Sequence, residues 1–257
     1  MKVDKYSFSK LKCFLECKYG FYERYFEKPE KENPSLVTGH GMSEFGSFVH
    51  DILERYEKGE LEIYEMLPYY ERNFDKNIKS DFVLKMSEDF SKDFRNLYYK
   101  SGEKYLGDFS GFDGIKVLEA EYYFEEVIKN FIFVGKIDLI AEDDDDDLIV
   151  IDHKSKSSFK NKKELHEYAR QLYLYSFAVR KKYHKFPAKL MFNMFRKEEW
   201  VTIDFSIKDY VEALKWAIDL VEEIESTIEF PSNPDTFYCW NFCSYRNANL
   251  EECHKQG

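Results

Sequence analysis

The stretch VGKIDLIAEDDDDDLIVIDHKSK, residues 134–156, decides the reading of this chain. Two apolar runs flank five consecutive aspartates, Asp143–Asp147. Short runs rich in Ile, Leu and Val form strands, whereas an acidic run with no apolar residue favours a turn. The order predicts an antiparallel hairpin centred on Asp145. Asp138 lies seven residues before that centre and Asp152 seven after it. A regular ladder then sets the two carboxylates opposite each other on one face, with Cβ atoms about 5 Å apart. Lys154, two residues past Asp152, joins them by strand alternation.

Two carboxylates so close repel each other, and one pKa rises unless a cation intervenes. A divalent ion removes that repulsion, and hard oxygen donors select Mg²⁺ or Mn²⁺. Such an ion lowers the pKa of bound water and stabilises charge on a phosphate, a task the Lys154 ammonium can share. A plain cross-strand Asp–Lys cluster on an exposed face has the same spacing, so spacing leaves both readings open. The five aspartates themselves read as a solvated loop.

Outward from the hairpin, IKVLEAEYYFEEV (115–127) reads as a preceding strand, giving three strands in succession. Residues 162–183 form a helix, 189–205 a hairpin and 206–226 a capped amphipathic helix. Upstream, 7–27 predict one or two helices, 30–42 a loop, 46–60 a helix and 61–105 further amphipathic helices. The tail, 230–257, is rich in Pro, Asn and Cys. No repeat and no long linker divides the chain. The expected organisation is one α/β domain with a mixed sheet: a helical N-terminal part (1–110), a sheet core (111–205) and a C-terminal helix with a cysteine-bearing tail (206–257).

Composition narrows the function classes. An apolar content of 44% with 18% aromatic residues excludes a disordered chain. No apolar run approaches the roughly 18 residues of a membrane helix, and the N-terminus shows no signal-peptide core, so a cytoplasmic protein is expected. The net charge of −11 argues against a generally basic nucleic-acid surface. Between Lys154 and Lys189, however, eleven basic residues face two acidic ones, a balance that suits a local nucleic-acid groove or a solvated helix face. The cysteines, Cys13, Cys17, Cys239, Cys243 and Cys253, cluster at the two ends and are odd in number, which disfavours a disulfide framework.

Asp138 followed by Asp152-x-Lys154 resembles the PD-(D/E)xK nucleases, and GKIDLI with IDHKSKS resembles their RecB-like branch, which includes AddB-type and CRISPR-adaptation Cas nucleases. Gly46-Ser47-x-x-His50 with Leu53-Glu54, the position of Glu121 ahead of Gly135, Gln171-x-x-x-Tyr175 and the opening FSKLKCFLECKYGFYERY resemble further motifs of that branch, in order along most of the chain. The resemblance implies a restriction-endonuclease-like mixed sheet flanked by helices, with an N-terminal helical elaboration and a cysteine-bearing C-terminal tail. It implies metal ligation by His50, Asp138, Asp152 and the His153 carbonyl. Lys154 takes the water-orienting or charge-stabilising role, and Gln171 and Tyr175 contact DNA or order the site. In many branch members one N-terminal and three C-terminal cysteines hold a 4Fe–4S cluster, which maps here onto Cys17, Cys239, Cys243 and Cys253, leaving Cys13 as a buried apolar residue. The spacing departs from the branch pattern, with C-x3-C in place of C-x2-C and nine residues before Cys253. That leaves room for Zn²⁺, for His254 as a ligand, or for free thiols.

The activity implied is a Mg²⁺- or Mn²⁺-dependent deoxyribonuclease, acting as an exonuclease on single-stranded or processed ends in recombination, phage DNA metabolism or CRISPR adaptation. The alternatives are a weakly catalytic or non-catalytic DNA-binding or assembly subunit, and cleavage of RNA. No GxxxxGK[ST] stretch is present, so a helicase partner is expected to be a separate polypeptide.

Overall fold

The computed structural model describes residues 5–27, 40–82 and 88–233, together with Cys239 and Cys243. Its elements run β1 (Lys5–Tyr6), α1 (Phe8–Glu16), α2 (Lys18–Tyr22), a π-helical turn (Glu23–Glu27), α3 (Gly41–Glu57), α4 (Ile63–Asn77), α5 (Glu88–Asp108), β2 (Ile115–Ile128), β3 (Phe131–Asp143), β4 (Leu148–His153), α6 (Lys162–Tyr183), β5 (Lys189–Met194), β6 (Glu199–Asp204) and α7 (Ile207–Ser226). The six strands form one mixed sheet.

The 134–156 hairpin has the expected register. Leu139 lies opposite Ile151 and Ala141 opposite Ile149, which sets Asp138 against Asp152. β4 runs parallel to β5, with α6 as the crossover, and β5 pairs antiparallel with β6. β2 occupies one edge of β3 along its whole length. The other edge is shared: β4 pairs with Leu139–Glu142, while the two-residue β1 pairs with Ile132 and Phe133. Residues 134–138 therefore lie between β4 and β1.

Strand alternation divides the core. Ile140, Val150, Leu190 and Phe192 pack with α6, α7 and α1 in the largest cluster. Leu139, Ala141, Ile149 and Ile151 face the other way, under Phe112, Ile115 and Val117. A second aromatic-rich cluster joins α3, α4 and α5 around Phe45, Tyr70 and Phe195. Gly102 permits that packing, because a Cβ there would stand 2.4 Å from the Tyr70 hydroxyl.

Several sequence expectations are corrected. The third helix begins at Gly41 rather than 46, so Gly41 and Met42 belong to it and not to the loop assigned to 30–42. It ends at Glu57 because Gly59 takes a left-handed φ of 70°. β1 was not expected; two residues carry no periodicity. The aspartate run is less uniformly solvated than its composition implies. The Asp143 side chain is only 13% exposed, pairs with Lys189 at 2.7 Å, and accepts hydrogen bonds from the Asp145 and Asp147 amides. It builds an Asx-type turn that closes the hairpin.

The C-terminal segment returns to the N-terminus. Asn233 donates to the Glu16 carbonyl, Tyr19 donates to the Pro231 carbonyl, and Phe230 packs on Phe14, Phe21 and Tyr22. Those two hydrogen bonds flank Cys17. Among the described residues no helix is long and apolar enough to cross a membrane.

Candidate active site

Three elements converge where β4 leaves β3. The β3–β4 register puts Asp138 and Asp152 on the face covered by α6. Gly46, one turn before His50, lets α3 close in from the side, since a Cβ there would lie 3.0 Å from Ser155 Oγ. β2 supplies Glu121, which the register places across from Asp138, between the pairs Ala120–Leu139 and Tyr122–Ile137.

Asp138 Oδ2 accepts the His153 amide at 2.7 Å. Burial first, and then the Asp152 charge, raise the Asp138 pKa above the ordinary aspartate value. His50 Nε2 lies 2.8 Å from the His153 carbonyl oxygen. A carbonyl can only accept, so Nε2 carries the proton. Burial lowers the His50 pKa, which keeps the ring neutral and leaves a bare lone pair on Nδ1. That nitrogen faces Asp138 Oδ2 at 3.7 Å. At that separation the two atoms share no hydrogen bond.

Glu121 completes the group: His50, Glu121 and Asp138 each offer a ligand atom, all within 4.8 Å of one another. Glu121 holds a left-handed φ of 54° inside a strand, a conformation that costs a non-glycine residue about 1 kcal/mol or more. Its carboxylate is 8% exposed and pairs with Lys136. The ligand set, one imidazole nitrogen and two carboxylates, fits a small divalent cation.

Lys154 lies beside this space, with Nζ 2.6 Å from Asp152 Oδ2. Burial works against its charge, but the Asp152 carboxylate outweighs it and the lysine pKa rises. Lys154 therefore stays an ammonium ion. It donates to Gln171 Oε1 at 3.2 Å, and Gln171 Nε2 donates to the Tyr175 hydroxyl at 2.8 Å. Burial, aided by the Asp152 charge, raises the Tyr175 pKa and keeps the phenol protonated. Gly135 makes room for this chain, since a Cβ would meet Phe124 and Tyr175 at 2.7 Å.

The residues singled out from sequence thus come together: His50, Asp138, Asp152, Lys154, Gln171, Tyr175 and the His153 backbone. Their partition differs from the expected one. Asp152 engages Lys154, His50 and the His153 carbonyl engage each other, and Glu121 stands with His50 and Asp138. Of the cysteines, Cys13, Cys17, Cys239 and Cys243 form no disulfide, and Cys253 and His254 lie outside the described residues. Burial pushes the Cys13 thiol up to about 11, as suits a packed apolar residue.

No curated protein matches this chain. The family model of the PD-(D/E)XK nuclease superfamily matches residues 5–248. The chain belongs to that superfamily. A crystal structure of SSO0001 is similar at 15% identity over 100% of this chain and 89% of that one, with a TM-score of 0.38. The mixed six-stranded sheet flanked by helices is the restriction-endonuclease-like fold of the PD-(D/E)XK nucleases, and membership implies a metal-dependent nuclease.

One part of this PD-(D/E)XK site escaped the sequence reading. The His153 side chain points away from Asp152, to the opposite face of the sheet, and is 2% exposed. Its Nε2 lies 3.1 Å from Glu57, itself 1% exposed, and its Nδ1 lies 3.0 Å from Asn193 Nδ2. Asn193 Nδ2 also donates to the Tyr105 hydroxyl at 2.6 Å. Burial pushes Glu57 up to about 9 and His153 down to about 4, so at neutral pH neither is charged. This neutral network holds the ring whose own backbone contacts both Asp138 and His50. Glu57 follows His50 by seven residues on α3, two turns along one face. That spacing is the signal that would have found it.

Proposed function

We propose that this chain is a Mg²⁺- or Mn²⁺-dependent deoxyribonuclease of RecB-like type, cutting single strands or processed ends exonucleolytically. One observation carries the reading: His50 Nδ1 and Asp138 Oδ2 face each other at 3.7 Å, too far apart for a hydrogen bond, with Glu121 beside them. His50, Glu121 and Asp138 would hold the ion, with Asp152 and the His153 carbonyl as neighbouring donors. When bound, a divalent ion lowers the pKa of a water and offsets charge on a phosphate oxygen. Lys154, held as an ammonium by Asp152, cannot take a proton, so its role is to neutralise charge developing on the scissile phosphate. Gln171 fixes the Lys154 side chain from α6, and Tyr175 fixes Gln171. The basic helix α6 offers backbone contacts. Any helicase, recombination or CRISPR protein would act as a separate partner, within the cytoplasm.

The test is digestion of DNA labelled at either end, single- and double-stranded, with Mn²⁺, alongside RNA of the same sequence. Asp152→Ala and Lys154→Ala should each abolish degradation while the protein stays folded. Undiminished cleavage by both variants would sink the assignment.

The C-terminal segment bound on both sides of Cys17 favours a second element of this reading. Residues 230–233, which precede the segment carrying Cys239, Cys243 and Cys253 in the sequence, lie against the turn that holds Cys17, the one N-terminal thiol expected to join them. We assign Cys17, Cys239, Cys243 and Cys253 to a 4Fe–4S cluster that staples the ends of a single nuclease domain. Anaerobically prepared protein should contain iron and sulfide and absorb near 400 nm. Colourless, iron-free protein removes the cluster and leaves Zn²⁺ or free thiols.

A further inference from the structure

A cavity of about 240 Å³ opens between α1, α6 and α7, beside the catalytic cluster. Tyr168 stands at its inner end, and its ring is ringed by cations. Lys154 Nζ lies 5.9 Å from its centroid, Lys156 Nζ 5.7 Å and Lys12 Nζ 4.5 Å. Trp216 stands at the outer end, against Phe8 at 5.9 Å, with the Arg170 guanidinium 5.2 Å from the indole centroid. Arg170 has no carboxylate within ion-pair distance among the described residues, whereas Lys12 and Lys156 are matched by Glu16 and Glu164. Glu16 and Glu167 also line the cavity, so its charge is mixed. It is not a general anion trap.

Resting on the nuclease reading above, we infer that this groove carries the single strand on one side of the scissile phosphate, with bases against Tyr168 and Trp216 and phosphate against Arg170. The argument is chemical. Alternating rings and cations suit a ligand that presents π-faces and phosphates together, and unpaired nucleotides do so. A duplex keeps its base faces stacked on each other and gains nothing from these rings. Arg170, unpaired and already stacked on an indole, is a planar donor ready for phosphate oxygens. Continuity fixes the direction: Tyr168 borders both the groove and the Lys154 ammonium, so a phosphate at Lys154 sends its neighbouring nucleotide past Tyr168 towards Trp216.

The experiment measures anisotropy of a labelled oligothymidylate of about a dozen nucleotides, in EDTA so that nothing is cleaved. A duplex of equal length serves as comparison. Arg170→Glu and Trp216→Ala should each weaken single-strand binding about ten-fold or more, the loss of one stacked base or phosphate contact. Duplex binding should be unchanged, as should binding by Lys208→Glu, an exposed residue in the first turn of α7, about two turns from Trp216. Thermal melts on both variants identify any sample that is not folded. Unchanged single-strand binding in Arg170→Glu, or equal losses for strand and duplex, would overturn the groove. Groove-dependent binding without metal-dependent cleavage removes the nuclease reading instead. Cleavage unaffected by either variant removes the groove alone.

Discussion

The His153 amide donates to Asp138 Oδ2 at 2.7 Å, so β4 ends on a carboxylate of the neighbouring strand. The same residue offers its carbonyl to His50 and its ring to Glu57 and Asn193. Three parts of one residue thus tie α3, β3 and β5 together at the centre of the site.

Replacing Asp138 with Asn keeps an oxygen for the His153 amide and removes a charge opposite Asp152. Metal-dependent cleavage should fall at least about a hundred-fold, because charge neutralisation at the phosphate is the costly term. Metal-free protein should melt no lower than wild type, since a buried like-charge pair has been relieved. Cleavage assays and melts in EDTA check the two halves. A metal-free variant that melts much lower would show that the carboxylate is needed for folding instead.

Glu57→Gln preserves both the volume and the neutrality that burial imposes on this carboxyl group, so folding and activity should change little. Glu57→Leu leaves the His153 Nε2 without its partner and should cost about 1–3 kcal/mol. It should also weaken Mn²⁺ binding through the displaced backbone, as titration calorimetry would read. Equal behaviour of the two variants would deny the network its positioning role.

Gly135→Ala tests steric room alone, because no left-handed φ is required there. The added methyl would meet Phe124 and Tyr175 at 2.7 Å. Overpacking of this kind costs about 1–3 kcal/mol, and a displaced Tyr175 releases Gln171 from Lys154. Cleavage should fall more steeply than stability, as rates and urea melts on one preparation would show.

The pH dependence of stability should carry a signature of Glu44, whose carboxylate engages Lys79 and Ser80. Burial favours its neutral form, but hydrogen bonds from the Ser80 hydroxyl and the Ser80 and Lys79 amides outweigh it and hold the pKa below the ordinary 4.5. A depressed carboxyl pKa stabilises the fold above the unfolded value, and that gain is lost as pH falls through the folded one. Wild type should therefore outlast Glu44→Gln in urea near neutral pH, and the gap should close below pH 4.5. A gap independent of pH would assign it to packing.

The hairpin register was legible because one composition break, the aspartate run, marks its centre, and the pairing of Asp138 with Asp152 follows by counting. Helix α6 was legible from its periodicity. The network of Glu57, His153, Asn193 and Tyr105 was not, because it joins four elements and no local pattern links them. Glu121 could be placed by resemblance, yet its left-handed backbone could not, since glutamate gives no sign of a positive φ. The aspartates misled in a smaller way: Asp143 organises the turn through its carboxylate, and Asp147 pairs with Lys185.

Because β4 and β1 share one edge of β3, the catalytic cluster occupies a notch inside the sheet and not its border. Of the two outer strands, β2 contributes Glu121 to it, whereas β6 is separated from it by β5. Another chain adding itself at β6 would lengthen the sheet without crowding the notch. Assembly and chemistry can therefore use different surfaces of the same sheet, and a complex built through the β6 border leaves the path from Tyr168 to Trp216 open.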